Sequence, residues 1–247
     1  MSGRTLLVTG AGGGVGGALV ARALDAGWRV IAGRRDPEEA PGPRTDPDDR
    51  VSRLRIDLAD PQGVGAAVDA CPVEEVTALV LCASPPPPVR SFTRTTAADL
   101  RDQLAVAAVG NHALLAAVWR RWFRPAGGGH VLAVLSSALG PPVSATTAAH
   151  MASYVTAKGA LAALMAAAVA ELGRAGLRAS VIAPGHVETG MLAAFDPLIL
   201  ERARAATPDG RFLEPGAVAA AILAALDDPP PPGRLHQIPL PERAETR

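Results

Sequence analysis

Tyr154 and Lys158 are the residues from which chemistry could start. Tyr154 is the only tyrosine in the chain and Lys158 the only lysine, all other basic side chains being arginine. They stand four residues apart, so a helix would place them on one face. A free phenol ionises near pH 10. An ammonium one helical turn away favours the phenolate, and the pair becomes a proton donor and acceptor for a substrate oxygen. Lysine is a compact point charge that arginine does not imitate. Y-x-x-x-K is a short pattern that also recurs by chance; its weight here comes from both residues being used once, together.

Such a pair needs elements that hold it and a partner that exchanges more than a proton. Thr5-Leu6-Leu7-Val8 reads as a buried strand. It runs into Thr9-Gly10-Ala11-Gly12-Gly13-Gly14-Val15-Gly16-Gly17, and Ala18 to Leu24 then has helical spacing. Strand, glycine turn and helix together form a cradle for a pyrophosphate: glycines admit close backbone approach, and the helix N-terminus offers free N–H groups. Three registers fit the glycines: Gly10-x-x-x-Gly14-x-Gly16, Gly10-x-x-Gly13-x-x-Gly16 and Gly12-x-Gly14-x-x-Gly17. A second strand over Trp28–Ala32 ends at Gly33-Arg34-Arg35. An acid at this tip would suit the ribose of NAD; arginines suit a 2′-phosphate and point to NADP(H) over NAD(H).

Further strands are expected at Leu54–Leu58, Ala78–Cys82, His130–Leu135, Leu177–Ala183 and Leu235–Ile238. Helices are expected over Asp60–Ala70, Asp99–Phe123, Tyr154–Ala175 and Pro215–Leu226, with loops over Pro37–Asp49 and Pro85–Pro88 and a mobile segment over Met191–Gly210. Alternating strands and helices give an α/β fold: a Rossmann-type doubly wound parallel sheet of about seven strands, helices on both faces, in one domain over residues 1–247. Ligands of such sheets bind at the carboxyl ends of the strands, where the glycine loop, Ser137 and Pro184-Gly185 all fall.

Composition excludes other classes. The formal net charge is zero, which gives no electrostatic reason to bind nucleic acid or an anionic membrane, and Arg120-Arg121 reads as a solvated helix face. The five histidines and two cysteines show no metal-ligand spacing, and Cys82 reads as core. The longest apolar run, Gly159–Ala170, is short for a bilayer. No signal peptide is expected because the first strand starts at about Thr5, so the expected location is cytoplasmic.

Taken in order, these motifs resemble the short-chain dehydrogenase/reductase family, compact single-domain subfamily, over nearly the whole chain. The residues that carry the resemblance are Thr9-Gly10-x-x-x-Gly14-x-Gly16, Asp57, Ser137, Tyr154-x-x-x-Lys158 and Pro184-Gly185-x-Val187-x-Thr189. It implies hydride transfer between a nicotinamide and a carbonyl/alcohol substrate. Tyr154 is then the general acid/base, Lys158 its activator and ribose ligand, and Ser137 a hydrogen-bond partner of the substrate oxygen. The resemblance implies a cofactor site of Gly10, Gly12, Gly13, Gly14, Val15, Gly16, Arg34, Arg35, Asp57, Leu58, Ala83, Tyr154, Lys158, Pro184, Gly185, Val187 and Thr189. It also implies a substrate-covering segment over about 190–213, and a homodimer or homotetramer. Too few residues follow Lys158 for the separate substrate domain of epimerase-like relatives.

The chain departs from the family in three places. Leu81-Cys82-Ala83-Ser84 and four prolines replace the usual Asn-Asn-Ala-Gly. Ala107 stands where relatives carry a catalytic asparagine, and Asn111, the sole asparagine, lies one turn later, about 5 Å away on a regular helix. The interval from Ser137 to Tyr154 is 17 residues, longer than in many relatives. These departures keep a second function class in play: a dinucleotide-binding protein without turnover, acting as a sensor or partner subunit.

Overall fold

The computed structural model describes residues 4–35, 50–141, 147–205, 207 and 209–240. Seven parallel strands form one sheet in the order β3-β2-β1-β4-β5-β6-β7. They are β1 Thr5–Thr9, β2 Arg29–Arg34, β3 Val51–Arg55, β4 Ala78–Leu81, β5 Gly129–Val134, β6 Leu177–Ile182 and β7 Leu235–Ile238. The chain runs outward from β1 to β3, returns to β4 beside β1, and runs outward again to β7. The crevice between β1 and β4 is therefore the switch point at which such sheets take ligands. β1, β4 and β5 are buried along their whole length, as central parallel strands without an amphipathic face should be.

The helices are α1 Gly14–Asp25, α2 Pro61–Ala70, α3 Ala97–Leu104, α4 Asn111–Val118, α5 Ala152–Leu172, α6 Pro197–Ala205 and α7 Pro215–Asp227. One core lies between the sheet and α2, α4 and α5, and includes Leu79, Leu114, Phe123, Leu161 and Met165. The other lies under α1 and α7, with Leu6, Leu19, Val80, Leu132 and Ile222. Local chemistry sets the ends. Asp60 caps α2 by accepting from Gly63 N–H, and Thr96 and Asp99 close a reciprocal capping box on α3.

Several expectations need correction. β3 lies upstream of the expected Leu54–Leu58, because Asp57 turns the chain: its carboxylate accepts from Ala59 N–H at 2.9 Å. β2 runs on through Gly33 and Arg34, which pair with Leu54 and Arg55. The long helix expected over Asp99–Phe123 is α3 and α4 joined and followed by π-helical turns at Ala105–Gly110 and Trp119–Phe123. At the first, Gly110 is pressed against the chain, where a Cβ would stand 2.0 Å from the Leu58 carbonyl oxygen. Arg121 is not a solvated charge: its guanidinium caps the C-terminus of α2, donating to the carbonyls of Val68, Asp69 and Cys71. The segment expected to be mobile over Met191–Gly210 contains a 3-10 turn, Gly190–Ala194, and α6. The loop expected over Pro37–Asp49 lies outside the described residues, as do residues 142–146.

By length and composition α5 could cross a membrane. Yet Tyr154, Ala157, Lys158, Leu161, Met165 and Val169 bury one side of it against the sheet, as in a core helix of a globular fold.

Candidate active site

Tyr154 and Lys158 share the buried face of α5, with 7% and 4% of their surface exposed. Lys158 Nζ donates to the Val134 carbonyl at 2.8 Å, at the carboxyl end of β5. It lies 5.6 Å from the centre of the Tyr154 ring. One hydrogen bond thus fixes the ammonium and leaves its other two protons for further partners.

Ser137 follows β5 by three residues, and its N–H donates to the Pro184 carbonyl at 2.9 Å. That bond joins the exits of β5 and β6. A Cβ on Gly185 would stand 3.7 Å from the Ser137 hydroxyl oxygen. Downstream, Val187 forms a parallel bridge with Leu213. Thr189 packs on the first turn of α1, so closely that a Cβ on Gly14 would lie 2.3 Å from its methyl group. Ser137, Pro184, Gly185, Val187, Thr189 and the glycine turn are therefore linked by short contacts at one end of the sheet.

At the glycine turn, Gly10 has φ +69°, and a Cβ there would meet Ala83 Cα at 2.9 Å. A Cβ on Gly16 would lie 2.2 Å from the Gly10 carbonyl oxygen. Space is thus denied at Gly10, Gly14 and Gly16, the first of the three sequence registers. Gly12, Gly13 and Gly14 are exposed. α1 begins with no side-chain cap and no acid in its first turn. Uncapped N–H groups, a positive dipole end and exposed glycines suit a pyrophosphate. At the β2 tip, Arg34 Nη2 donates to the Ala11 carbonyl at 3.3 Å, while Arg34 Nε is enclosed without a partner. Burial, and then the Arg53 charge, push this guanidinium below its ordinary pKa. The donor set fits a dinucleotide. Arg35 is exposed at the same tip, Leu58 is buried beneath Gly110, and the Asp57 carboxylate is exposed in its turn.

Sequence reasoning passed over several residues here. The Thr9 hydroxyl accepts from the N–H groups of Cys82 and Ala83 and donates to the Val80 carbonyl, holding the β1 and β4 exits together. Cys82 belongs to this exit as well as to the core. Its thiol is pushed up to about 11 by burial, with the Lys158 charge acting the other way. Gln103 is buried and donates to the Pro86 carbonyl at 2.9 Å, fixing the proline loop, and Arg90 N–H reaches the His150 carbonyl at 2.8 Å. His186 stacks on Phe212 at 4.9 Å, Arg204 lies 4.7 Å from the same ring, and Arg204 pairs with Glu188 at 3.1 Å. His186 and Phe212 are far apart in sequence, and nothing in either segment states their pairing.

Asn111 is 1% exposed; its amide donates to the Ala107 carbonyl at 3.1 Å, and its Oδ1 is enclosed without a protein partner. The π turn Ala105–Gly110 stands immediately before this asparagine. It packs on α5, the helix of Tyr154 and Lys158. No group of three or more potential metal ligands occurs among the described residues.

The short chain dehydrogenase family profile matches residues 4–197, and the chain belongs to that family of oxidoreductases. It is 30% identical over 231 residues to a cis-4-hydroxycyclohexanecarboxylate dehydrogenase of Sinomonas cyclohexanicum, an alignment covering 89% of this chain and 87% of that one. The fold is shared with a gluconate 5-dehydrogenase from Burkholderia cenocepacia in complex with NADP and tartrate: TM-score 0.82, 24% identity, 96% and 94% of the two chains. It is shared equally with a 3-ketoacyl-(acyl-carrier-protein) reductase from Brucella melitensis complexed with NADH: TM-score 0.81, 24% identity, 95% and 96% coverage.

Proposed function

We propose that this oxidoreductase interconverts a ketone and a secondary alcohol with NADP(H), ketone reduction being the working direction. The observation that carries the reading is the buried Tyr154–Lys158 pair, with Lys158 fixed to Val134 at the β5 exit, three residues before Ser137. The bound nicotinamide supplies hydride to the carbonyl carbon, or accepts it from the alcohol. Tyr154 donates a proton to the developing alkoxide, and the hydroxyl of Ser137 hydrogen-bonds the same oxygen. Lys158 lies 5.6 Å from the centre of the Tyr154 ring, and its remaining donors hold the nicotinamide ribose. N–H groups of the first turn of α1, Gly14 to Gly16, hold the pyrophosphate, Gly13 N–H being taken by the Gly10 carbonyl at 2.9 Å. Asp57, Leu58 and Ala83 border the adenosine half, and Pro184, Gly185, Val187 and Thr189 orient the nicotinamide. Arg34 and Arg35 take the 2′-phosphate, which supports NADP(H).

Residues 190–213 form the substrate cover. Leu198 and Ile199 are exposed on α6, and Phe92 is 82% exposed beyond the proline loop. These residues favour a substrate that is partly apolar, and the relative that acts on a hydroxycyclohexanecarboxylate favours a ring-borne secondary alcohol. The outward side of α5 is alanine-rich with only 28% of its apolar stretch buried, and Val109 before α4 is 52% exposed. A second copy of the chain, packing α4 and α5 against their counterparts, would cover both.

A panel of cyclic and linear ketones with NADPH tests the reading. Turnover that Tyr154→Phe lowers by about 10²–10⁴-fold supports it. NADPH binding without turnover, unchanged by that substitution, would establish the non-catalytic alternative, for which the proline-filled β4 exit and Ala107 speak.

A further inference from the structure

His186 stands close to Ser137 and has no part in the hydride and proton transfers. It follows Gly185, on which a Cβ would stand 3.7 Å from the Ser137 hydroxyl oxygen. Neighbouring Cα atoms lie about 3.8 Å apart, so His186 is a single residue step beyond that contact. Its backbone is fixed. The His186 carbonyl accepts from Leu213 N–H and the Leu213 carbonyl from Glu188 N–H, each at 2.9 Å, around the Val187–Leu213 bridge. Its ring is fixed as well. It stacks on Phe212 with centroids 4.9 Å apart and planes 20° from parallel, and it meets Phe195 edge-on at 6.3 Å. Phe212 is itself buried and carries the Arg204 guanidinium 4.7 Å from its centre.

The polar atoms of this fixed ring are unused. Among the described residues neither ring nitrogen of His186 has a hydrogen-bond partner, and solvent reaches the side chain. The charged groups of the same clasp, Arg204 and Glu188, are paired with each other at 3.1 Å. Burial lowers the His186 pKa below its ordinary value, which keeps the ring neutral at neutral pH. A neutral imidazole offers one N–H donor and one nitrogen acceptor, the complement of a hydroxyl or a carbonyl. Because packing already holds the ring in one orientation, little rotamer freedom is lost when a ligand binds it. A phenyl ring would stack on Phe212 equally well; what histidine adds at this position is the pair of nitrogens.

We propose that His186 is a specificity residue that hydrogen-bonds a second oxygen of the substrate, a hydroxyl or carbonyl group a few carbon atoms from the one that is reduced. This deepens the ketone–alcohol reading and rests on it. Ser137 and Tyr154 address the reacting oxygen, and His186, one step along the β6 exit from Gly185, addresses the other. The rings of Phe195 and Phe212 beside it favour a carbocyclic spacer between the two oxygens. The substrate class is then a cyclic ketone oxygenated at a second carbon. The same contact rejects analogues: where a methyl group replaces the second oxygen, the imidazole gives up its water and gains no partner.

The test measures NADPH-dependent reduction of 4-hydroxycyclohexanone and 4-methylcyclohexanone by the full chain, with NADPH affinity and melting temperature recorded in parallel. The wild type is expected to favour the hydroxy ketone in kcat/KM. His186→Phe keeps a ring for the Phe212 stack and removes both nitrogens. The preference should then fall by about tenfold, the worth of one hydrogen bond, chiefly through KM, with NADPH affinity retained. His186→Gln keeps a donor and an acceptor without the ring, and should keep part of the preference. If His186→Phe leaves the preference intact, or weakens both ketones equally, the inference is overturned and His186 is a structural part of the clasp. A loss of NADPH affinity in place of the lost preference also overturns it, assigning the imidazole to the cofactor. A wild type that reduces ketones without favouring the hydroxy ketone overturns the inference alone, and the ketone–alcohol reading stands. If the wild type reduces no ketone, that reading falls and the inference falls with it.

Discussion

The glycine turn, proposed as the cofactor cradle, and residues 190–213, proposed as the substrate cover, are built on opposite principles. Around the cradle almost every position is determined by its neighbours: β1 is wholly buried, Gly16 touches the Gly10 carbonyl, and Thr9 binds the β4 exit through three hydrogen bonds. Neither the turn at Gly190–Ala194 nor α6 has a buried residue. The cover is attached at its base. The Val187–Leu213 bridge closes it, and Phe212, 3% exposed, anchors it between His186 and Arg204. On the proposed reading, a ligand part common to many reactions meets backbone that cannot vary, and the part that selects a substrate meets a clasp with few constraints. Relatives can therefore share the cradle and differ in what they reduce.

Substitutions on the two sides should separate this contrast. The largest effect is expected for Gly16→Ala. A methyl group placed 2.2 Å from a carbonyl oxygen must displace either the turn or α1. Dinucleotide binding should disappear and melting temperature should fall by several degrees; retained binding would mean that the turn is not rigid. Gly190→Ala meets no atom within 4 Å, and should shift stability by less than about 0.5 kcal/mol.

Phe212→Ala comes next. Removing a buried aromatic ring costs about 3 kcal/mol where it anchors a whole domain. Here the cost should fall on the cover, read as faster proteolysis within residues 190–211 and a raised KM with cofactor affinity unchanged. An equal loss of cofactor affinity would show that the two regions are not independent. Arg204→Ala breaks a half-exposed pair and should cost no more than about 1 kcal/mol in the same assay.

A third expectation concerns pH, far from both regions. His130 on β5 hydrogen-bonds Ser180 on β6 at 2.9 Å, and burial, then Arg178 and His236, lower its pKa to about 4. An unfolded chain takes up this proton near pH 6.5, whereas the folded one resists until about 4. The stability that neutral His130 contributes is therefore complete above about pH 6.5 and is lost as pH falls toward 4. Thermal melts over that range should show the decline, and His130→Gln should flatten it. The smallest effect is chemical: the thiol of Cys82, raised to about 11, should alkylate far more slowly at pH 8 than an ordinary cysteine.

Much of the fold was legible because its signals are local. β7 falls at the expected Leu235–Ile238, α2 starts at its Asp60 cap, and the glycine turn follows the first strand. Less legible was whatever depends on two distant segments meeting. Asp57 ended β3 early through a turn whose hydrogen bond no periodicity displays. The π turn before Asn111 exists where Gly110 presses on Leu58, 52 residues earlier in the chain. Arg121 looked like surface charge until α2 brought its carbonyl end alongside.

The sequence by itself determined that one tyrosine and one lysine share a helix face, that glycines open the first helix, and that strands and helices alternate into a parallel sheet. Residue type and spacing are sufficient for these because each is settled within a few turns of chain. Only the tertiary structure decided that Lys158 is fixed by Val134, that Thr9 locks the β4 exit, and that Arg34 is tied to the Ala11 carbonyl. The physical reason is the same in all three: a hydrogen bond acts across space, between elements whose arrangement around the sheet no stretch of sequence states.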